Sequence, residues 1–135
     1  MSIFSSINIS SSALTAERTR MDVISKNLAN ANTTRTQSGD PYRRQVVVFK
    51  EAEEKQSFKS ILENKKSKDV DKGVEIVGIV EDKTPFRQVY NPGHPDADEK
   101  GYVTMSNVDT ITEMVDMISA TRSYEANVTA LNTSK

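Results

Sequence analysis

The residues best suited to chemistry lie close together in one loop of the second half of the chain. His94, Asp96, Asp98 and Glu99 bring an imidazole and three carboxylates into a short segment, and carboxylate oxygens are ligands that hard cations prefer. Their spacing departs from the EF-hand loop, in which ligands recur at every second position before a Gly and a distant Glu. A surface loop held by its prolines explains the cluster better, so we predict no metal site.

Other kinds of catalysis have few candidate residues in this chain. It contains one His and no Cys, and no Ser stands in a Gly-x-Ser-x-Gly setting, so nucleophilic catalysis lacks its usual groups. Neither type of glycine-rich phosphate-binding loop is present. A carboxylate pair for hydrolysis is the arrangement that the sequence leaves open. We therefore predict that the chain is not an enzyme and that it binds no cofactor.

Two polar clusters remain to be explained. Arg43 and Arg44 could grip a phosphate or carboxylate, but adjacent strand residues point to opposite faces, so we expect exposed strand charges or an ion pair between subunits. Asn27, Asn30 and Asn32 lie near the end of the first apolar segment. Asn favours helix ends because its side chain bonds nearby backbone groups, yet three of them exceed what a helix end needs.

Length and composition limit the fold to a single small domain. The chain has 135 residues and a formal net charge of −1, which argues against a nucleic-acid-binding protein. Leu, Ile, Val and Phe together make up 22% of the residues, just above the range of about 20% where chains stop folding alone. We expect a small core that a partner completes.

Two kinds of targeting segment are not expected in this sequence, and a different export route would leave no trace in its composition. No run approaches the ~18 apolar residues of a membrane span, so we expect no membrane insertion. The first residues carry no positive charge and no long apolar run, so we expect no cleaved secretory signal.

Heptad spacing predicts an assembly helix over residues 1–32. Ile7, Leu14, Met21 and Leu28 stand seven residues apart, a spacing that keeps one helix face in register with a partner helix. The many serines near its start lower helix propensity. The helix should therefore be marginal alone and stable when packed.

A second assembly helix is predicted within residues 107–135. Thr110 and Glu113 fit a capping box at its start. Its seam advances in steps of three and four through Met114, Met117, Thr121, Tyr124, Val128 and Leu131. No Gly or Pro marks its end, so we expect the helix to be truncated and the natural chain to continue past the last residue.

The segment between the helices, residues 33–106, predicts a small antiparallel β unit. Strand signals cover residues 42–49, 73–81, 86–90 and 102–105, and the turn at 82–85 predicts that the second strand pairs with the third. Residues 50–72 carry 13 charges and are expected to form a charged loop or insertion. The predicted fold class is α+β, with the terminal helices forming a coiled-coil-like pair and the β unit between them.

Three segments resemble a known family. Residues 21–33, MDVISKNLANANT, resemble the N-terminal motif shared by bacterial flagellar rod and hook proteins. Residues 90–103, YNPGHPDADEKGYV, and residues 107–128 are similar to the proximal-rod members of that axial protein family. The asparagine-rich motif alone indicates the family, and the three segments in this order are specific.

The resemblance implies a structural subunit of the proximal rod in the flagellar basal body. Such a subunit is exported through the flagellar type III apparatus without signal cleavage and lies outside the cytoplasmic membrane. It polymerises through its terminal helices with itself, with rod proteins of the B, F and G types and with the hook-basal body protein at the rod base. The assembled rod is the drive shaft that transmits torque, and the helices become ordered on docking.

The candidate assembly interface combines the helix seams with the three asparagines. Its members are Ile7, Leu14, Met21, Ile24, Asn27, Leu28, Asn30, Asn32, Met114, Met117, Ile118, Tyr124, Val128 and Leu131. Two other classes of function stay open at this point. One is a small cytoplasmic coiled-coil adaptor, and the other is a cation-dependent enzyme that uses the loop at 94–99.

Overall fold

A computed structural model describes residues 3–52 and 73–134. The elements follow in the order α1 (Ile3–Ala29), β1 (Gln45–Glu51), β2 (Val74–Glu81), β3 (Arg87–Tyr90), β4 (Tyr102–Met105) and α2 (Thr110–Ser134). The α+β fold class is confirmed, with a long helix at each end and strands between them. Most of the predicted charged loop, from residue 53 onward, lies outside the described residues.

The described strands form two separate antiparallel pairs. β1 pairs with β2, placing Val47 opposite Ile79, and β3 pairs with β4, placing Tyr90 opposite Tyr102. The predicted pairing of the second strand with the third was therefore wrong. The turn between those strands does not form a hairpin, because the Asp82 and Thr84 carbonyls accept hydrogen bonds from side chains instead.

Helix α1 contacts both α2 and the β1–β2 pair. The contact with β2 is close at Gly73, where an added Cβ would overlap the Ser12 hydroxyl and lie 3.0 Å from the Ser12 Cβ. The same hydroxyl accepts a hydrogen bond from the Val74 N–H at 3.0 Å and donates one to the Ile9 carbonyl at 2.8 Å. Only glycine lets the strand approach the helix this closely.

The buried apolar side chains are few and mostly small. Among the described residues they are Ala16, Val23, Ile24, Ala31, Tyr42, Val103, Val108 and Ala120. This small core agrees with the low content of large aliphatic residues. Neither described helix is long and apolar enough to cross a lipid bilayer.

The start of α2 differs from the predicted capping box. Asp109, not Thr110, caps the helix, because its Oδ1 accepts hydrogen bonds from the N–H groups of Ile111 at 3.1 Å and Thr112 at 3.5 Å. Glu113 does not fold back over the helix end, since its side chain is directed into the protein and is 1% exposed. The capping box was wrong because a better cap precedes it and a cation inside the fold binds the glutamate.

Asp96 and Asp98, in the loop at 91–101, hold the loop in place through contacts with residues 34–35 and within the loop. Asp96 accepts a hydrogen bond from the Thr34 hydroxyl at 2.6 Å and pairs with Arg35 at 3.0 Å. Asp98 Oδ1 accepts from two backbone N–H groups, and His94 Nδ1 accepts from the Asp96 N–H. Within residues 3–52 and 73–134, no group of three or more His, Asp or Glu side chains could hold a metal ion.

Candidate assembly interface

Asn27, near the end of α1, joins three parts of the chain. Its side-chain N–H₂ donates to the Gln45 carbonyl at 2.9 Å and to Glu113 Oε2 at 3.2 Å. Its carbonyl oxygen accepts from the Tyr42 hydroxyl at 2.7 Å and from the Gln45 N–H at 3.0 Å. The residue is 1% exposed, and this set uses both donors and both acceptor positions of the amide. Asn27 therefore connects α1 to β1 and to the start of α2.

Arg44 is the cation that faces the buried Glu113. Its Nε donates to Glu113 Oε1, and its two terminal nitrogens reach Asp82 at 3.1 Å and Asp116 at 3.5 Å. Glu113 and Asp116 lie one turn apart on α2, so a single guanidinium contacts two points of the helix. The predicted alternatives of an exposed charge or an intersubunit ion pair were wrong for Arg44, because its partners come from its own chain.

The backbone N–H of Arg44 is also hydrogen-bonded within the chain. Its N–H donates to Asn107 Oδ1 at 2.7 Å, and the Asn107 N–H₂ donates to the carbonyls of Asp82 and Thr84 at 3.0 Å each. Neighbouring Arg43 donates to the same two carbonyls, and its guanidinium lies 4.3 Å from the centre of the Phe86 ring. The two arginines, which directly precede β1, thus make different contacts: Arg43 with the carbonyls of Asp82 and Thr84 and with Phe86, and Arg44 with carboxylates.

These contacts shift the pKa values of three groups. Burial raises the pKa of Tyr42, and the negative charge of Glu113 adds to that rise. Burial alone would lower the pKa of Arg44, but the hydrogen bond and charge of Glu113, with those of Asp82, outweigh it and raise that pKa. Hydrogen bonds from the Thr84 hydroxyl and N–H lower the pKa of Asp82, and Arg44 lowers it further. All three residues keep their ordinary charge states at neutral pH.

The face of α2 that is buried differs from the predicted seam. Among the residues of the helix whose burial is described, Glu113 and Ala120 are fully buried, and Met117 and Tyr124 on the same face are partly buried. This face advances in steps of four and three, as a packed helix should, and Thr121 at its edge contacts Met21 of α1 at 3.7 Å. The predicted seam shared Met117 and Tyr124 with the observed one but began one residue too late, at Met114.

An apolar stripe of α2 is left on the outside. Met114 and Ile118, both members of the candidate assembly interface, are 53% and 57% exposed, and Ile111 and Val115 are 75% and 60% exposed. Their spacing of i, i+3, i+4 and i+7 places all four on one helix face. Each large apolar side chain left in water forgoes about 1.5–3 kcal/mol of burial free energy. We call these four residues the α2 outer stripe.

Comparison with known proteins identifies the family. Residues 7–36 match the family described as flagella basal body rod protein, and residues 99–135 match the flagellar basal body rod FlgEFG protein C-terminal family. Over its whole length the chain is 50% identical to "Flagellar basal-body rod protein FlgC" of Bacillus subtilis, of which it covers 93%. It is 46% identical to the protein of that name from Borreliella burgdorferi and 42% identical to that of Escherichia coli O157:H7, covering 92% of each.

The chain belongs to the FlgC family of flagellar basal-body rod proteins. The resemblance found in the three sequence segments is therefore confirmed, and a structural rod subunit located in the flagellar basal body follows from family membership. The small cytoplasmic adaptor is not favoured.

The candidate interface residues of this FlgC-family chain fall into three groups by their burial. Ile24 and Asn27 are buried within the chain, and Met114, Ile118 and Asn32 are exposed. The other positions are partly buried: Ile7, Leu14, Met21, Leu28, Asn30, Met117, Tyr124, Val128 and Leu131. Asn30 donates to the Lys26 carbonyl at 2.9 Å and accepts from the Thr33 hydroxyl at 3.2 Å, so it serves the helix end. Contacts of these residues with neighbouring subunits stay a prediction.

Sequence reasoning did not single out Tyr42, Ile111 or Val115, and it assigned Glu113 only to the capping box. A signal for the two apolar residues was present, because with Met114 and Ile118 they complete one helical stripe. The buried glutamate had no such signal, since its partner Arg44 lies far from it in the chain and only the folded structure brings the two together.

Proposed function

We propose that this FlgC-family chain is a non-catalytic subunit of the proximal rod that polymerises through the outer faces of its terminal helices. The observation that carries the proposal is the α2 outer stripe, which is apolar, continuous and exposed although the helix packs firmly along its opposite face. A contiguous exposed apolar patch on a soluble domain is typical of a protein interaction site. The near-neutral net charge gives no support to a nucleic-acid partner.

The other end of the chain supplies a second exposed apolar surface. Ile3 and Phe4, in the first turn of α1, are both largely exposed. Residues 3–16 of α1 contain no charged side chain, so this part of the helix can approach an apolar neighbour without desolvating an ion. Two different surfaces that join head to tail without closing a ring produce a filament, which is the form a rod requires.

The wider assembly is proposed from the family and the three resembling segments. The partners are further copies of this chain, rod proteins of the B, F and G types, the hook-basal body protein at the rod base and, during export, the flagellar export apparatus. Export proceeds without a cleaved signal, the assembled subunit lies outside the cytoplasmic membrane, and the rod transmits torque.

Ordering on assembly follows from the same surfaces. The serine-rich start of α1 has weak helix propensity, and its exposed Ile3 and Phe4 gain burial only from a neighbour. We therefore propose that this end of α1 becomes fully helical on docking. Far-UV circular dichroism should show less helix in the dilute chain than in assembled rods, and equal helix content in both would contradict this part of the proposal.

Replacement of Ile118 by Asp tests the interface directly. Ser119 is the exposed neighbouring residue outside the stripe, and Ser119→Asp is the matched control. Both variants should unfold at the same denaturant concentration as the unmodified chain, because neither position is buried in it. A strain that lacks the native gene should swim with the Ser119 variant and fail to swim with the Ile118 variant.

Two results would count against the proposal. Normal swimming with Ile118→Asp would show that the stripe is not covered by a neighbour. A motile strain after deletion of the gene would reject the rod function itself. Leu28→Asp, at a partly buried heptad position of α1, should also reduce swimming, and unchanged swimming would remove Leu28 from the interface.

A further inference from the structure

The polar cluster at the start of α2 conflicts with the hydrophobic pattern of that helix. The α2 outer stripe lies about 150° around the helix from the buried face, at ~100° per residue. Hydrophobic burial alone favours a rotation of α2 that brings Met114 and Ile118 toward α1. The structure has the opposite arrangement, with a charged glutamate inside and the aliphatic side chains outside.

The contacts of Glu113 account for this arrangement. Its two carboxylate oxygens are used by different elements, one by Arg44 and the other by Asn27 on α1. Arg44 also reaches Asp116 one turn later and is itself fixed by Asp82 and Asn107. A rotation of α2 by one residue would withdraw Glu113 from both partners and leave buried polar groups unpaired, which is strongly unfavourable.

We infer that the Arg44–Glu113–Asn27 cluster is a rotational latch, which sets the rotation of α2 on α1 and keeps the α2 outer stripe facing outward. A buried polar residue can select one helix register at the expense of others, as a single buried Asn does in coiled coils. Arg44 and Glu113 act as positioning residues, since neither belongs to the stripe. The inference rests on the proposed function in one respect only, which is the assignment of the α2 outer stripe as an assembly surface.

The test compares thiol reactivity at two positions of α2 in the full chain. The chain contains no Cys, so Met114→Cys and Ala120→Cys each introduce a single thiol, the first exposed and the second buried. Each cysteine variant is made in the unmodified chain and in the latch variant Arg44→Met/Glu113→Leu. The latch variant replaces both members of the ion pair, so that neither charge is left buried without the other. Modification by a maleimide is followed at micromolar chain concentration, with circular dichroism to confirm helix content.

A change of rotation moves the two thiols in opposite directions. In the latch variant, Cys at position 114 should react more slowly and Cys at position 120 faster, each by about tenfold, which corresponds to ~1.4 kcal/mol of differential protection. The matched control is Arg18→Met/Glu125→Leu, which makes the same replacements at two exposed positions of the helices. It should leave both rates as they are in the unmodified chain.

Two outcomes would overturn the inference. Unchanged rates at both positions would show that the cluster does not set the rotation. Fast reaction at both would show that α2 has left α1, so that the cluster only holds the helix in place. Labelling of the purified chain is independent of swimming, so a changed rotation in a chain that still supports motility would reject the proposed function and leave the latch intact.

Discussion

Replacing Asn27 with Ala should destabilise the chain far more than the same change at Asn30. The Asn27 amide makes three hydrogen bonds to neutral groups and one to the Glu113 carboxylate. Neutral bonds contribute about 1 kcal/mol each, and a bond to a charged group about 1.5–3 kcal/mol. Allowing for water that enters the space of the lost side chain, we expect the free energy of unfolding to fall by about 3–5 kcal/mol, a large part of the ~5–15 kcal/mol of a typical domain.

Urea unfolding followed by circular dichroism measures this loss. With a denaturant slope of about 1–3 kcal/mol per M, the midpoint should fall by more than about 1 M. Asn30→Ala removes two local bonds at a partly buried helix end and should cost no more than about 1 kcal/mol. If the two variants unfold within about 1 kcal/mol of each other, the assignment of Asn27 as the junction of the three elements is refuted.

Three further perturbations follow from described contacts. Gly73→Ala should cost about 1–3 kcal/mol, because the new methyl group overlaps Ser12, whereas Gly78→Ala meets nothing within 4 Å and should cost little in the same urea assay. The pKa of Tyr42 is raised in the folded chain, so its contribution to stability is present below the unfolded pKa of about 10 and is lost as pH rises through the higher folded pKa. Tyr42→Phe should therefore remove part of the loss of stability on the alkaline side of the stability–pH curve. The pKa of Asp82 is lowered in the folded chain, so its contribution to stability is present above about pH 4 and is lost as pH falls below that value. Asp82→Asn should therefore flatten the acid side of the stability–pH curve, and an unaltered curve would contradict this.

The local signals in the sequence predicted the elements well. β-Branched runs placed the four strands of the described residues to within a few residues, and β4 agreed with its predicted bounds. The pairing of β2 with β3 was predicted wrongly, because the turn before Phe86 has the residues of a hairpin turn. The side chains of Asn107 and Arg43 donate hydrogen bonds to the carbonyls of that turn. Both residues lie far from the turn in the chain, so the sequence around the turn gave no sign of these bonds.

The assembly surface could be predicted only in part. Apolar periodicity showed that both terminal helices carry a face for packing, and the motifs in 21–33 and 107–128 indicated the family. Periodicity could not show which face of α2 packs on α1, because Met114 and Ile118 fit a seam as well as Ala120 does. The choice depends on Glu113 finding Arg44 and Asn27 across the fold.

The sequence by itself therefore determined the class of fold, the family and the presence of two terminal helices that carry apolar faces. These properties depend on the spacing of apolar residues and on helix and strand propensity, which are set by residues close together in the chain. Tertiary structure alone decided which strands pair, which way α2 is turned and which apolar residues stay outside. The physical reason is that a buried charge must have its partners, and those partners, Arg44 and Asn27, lie 69 and 86 residues away from Glu113 in the chain.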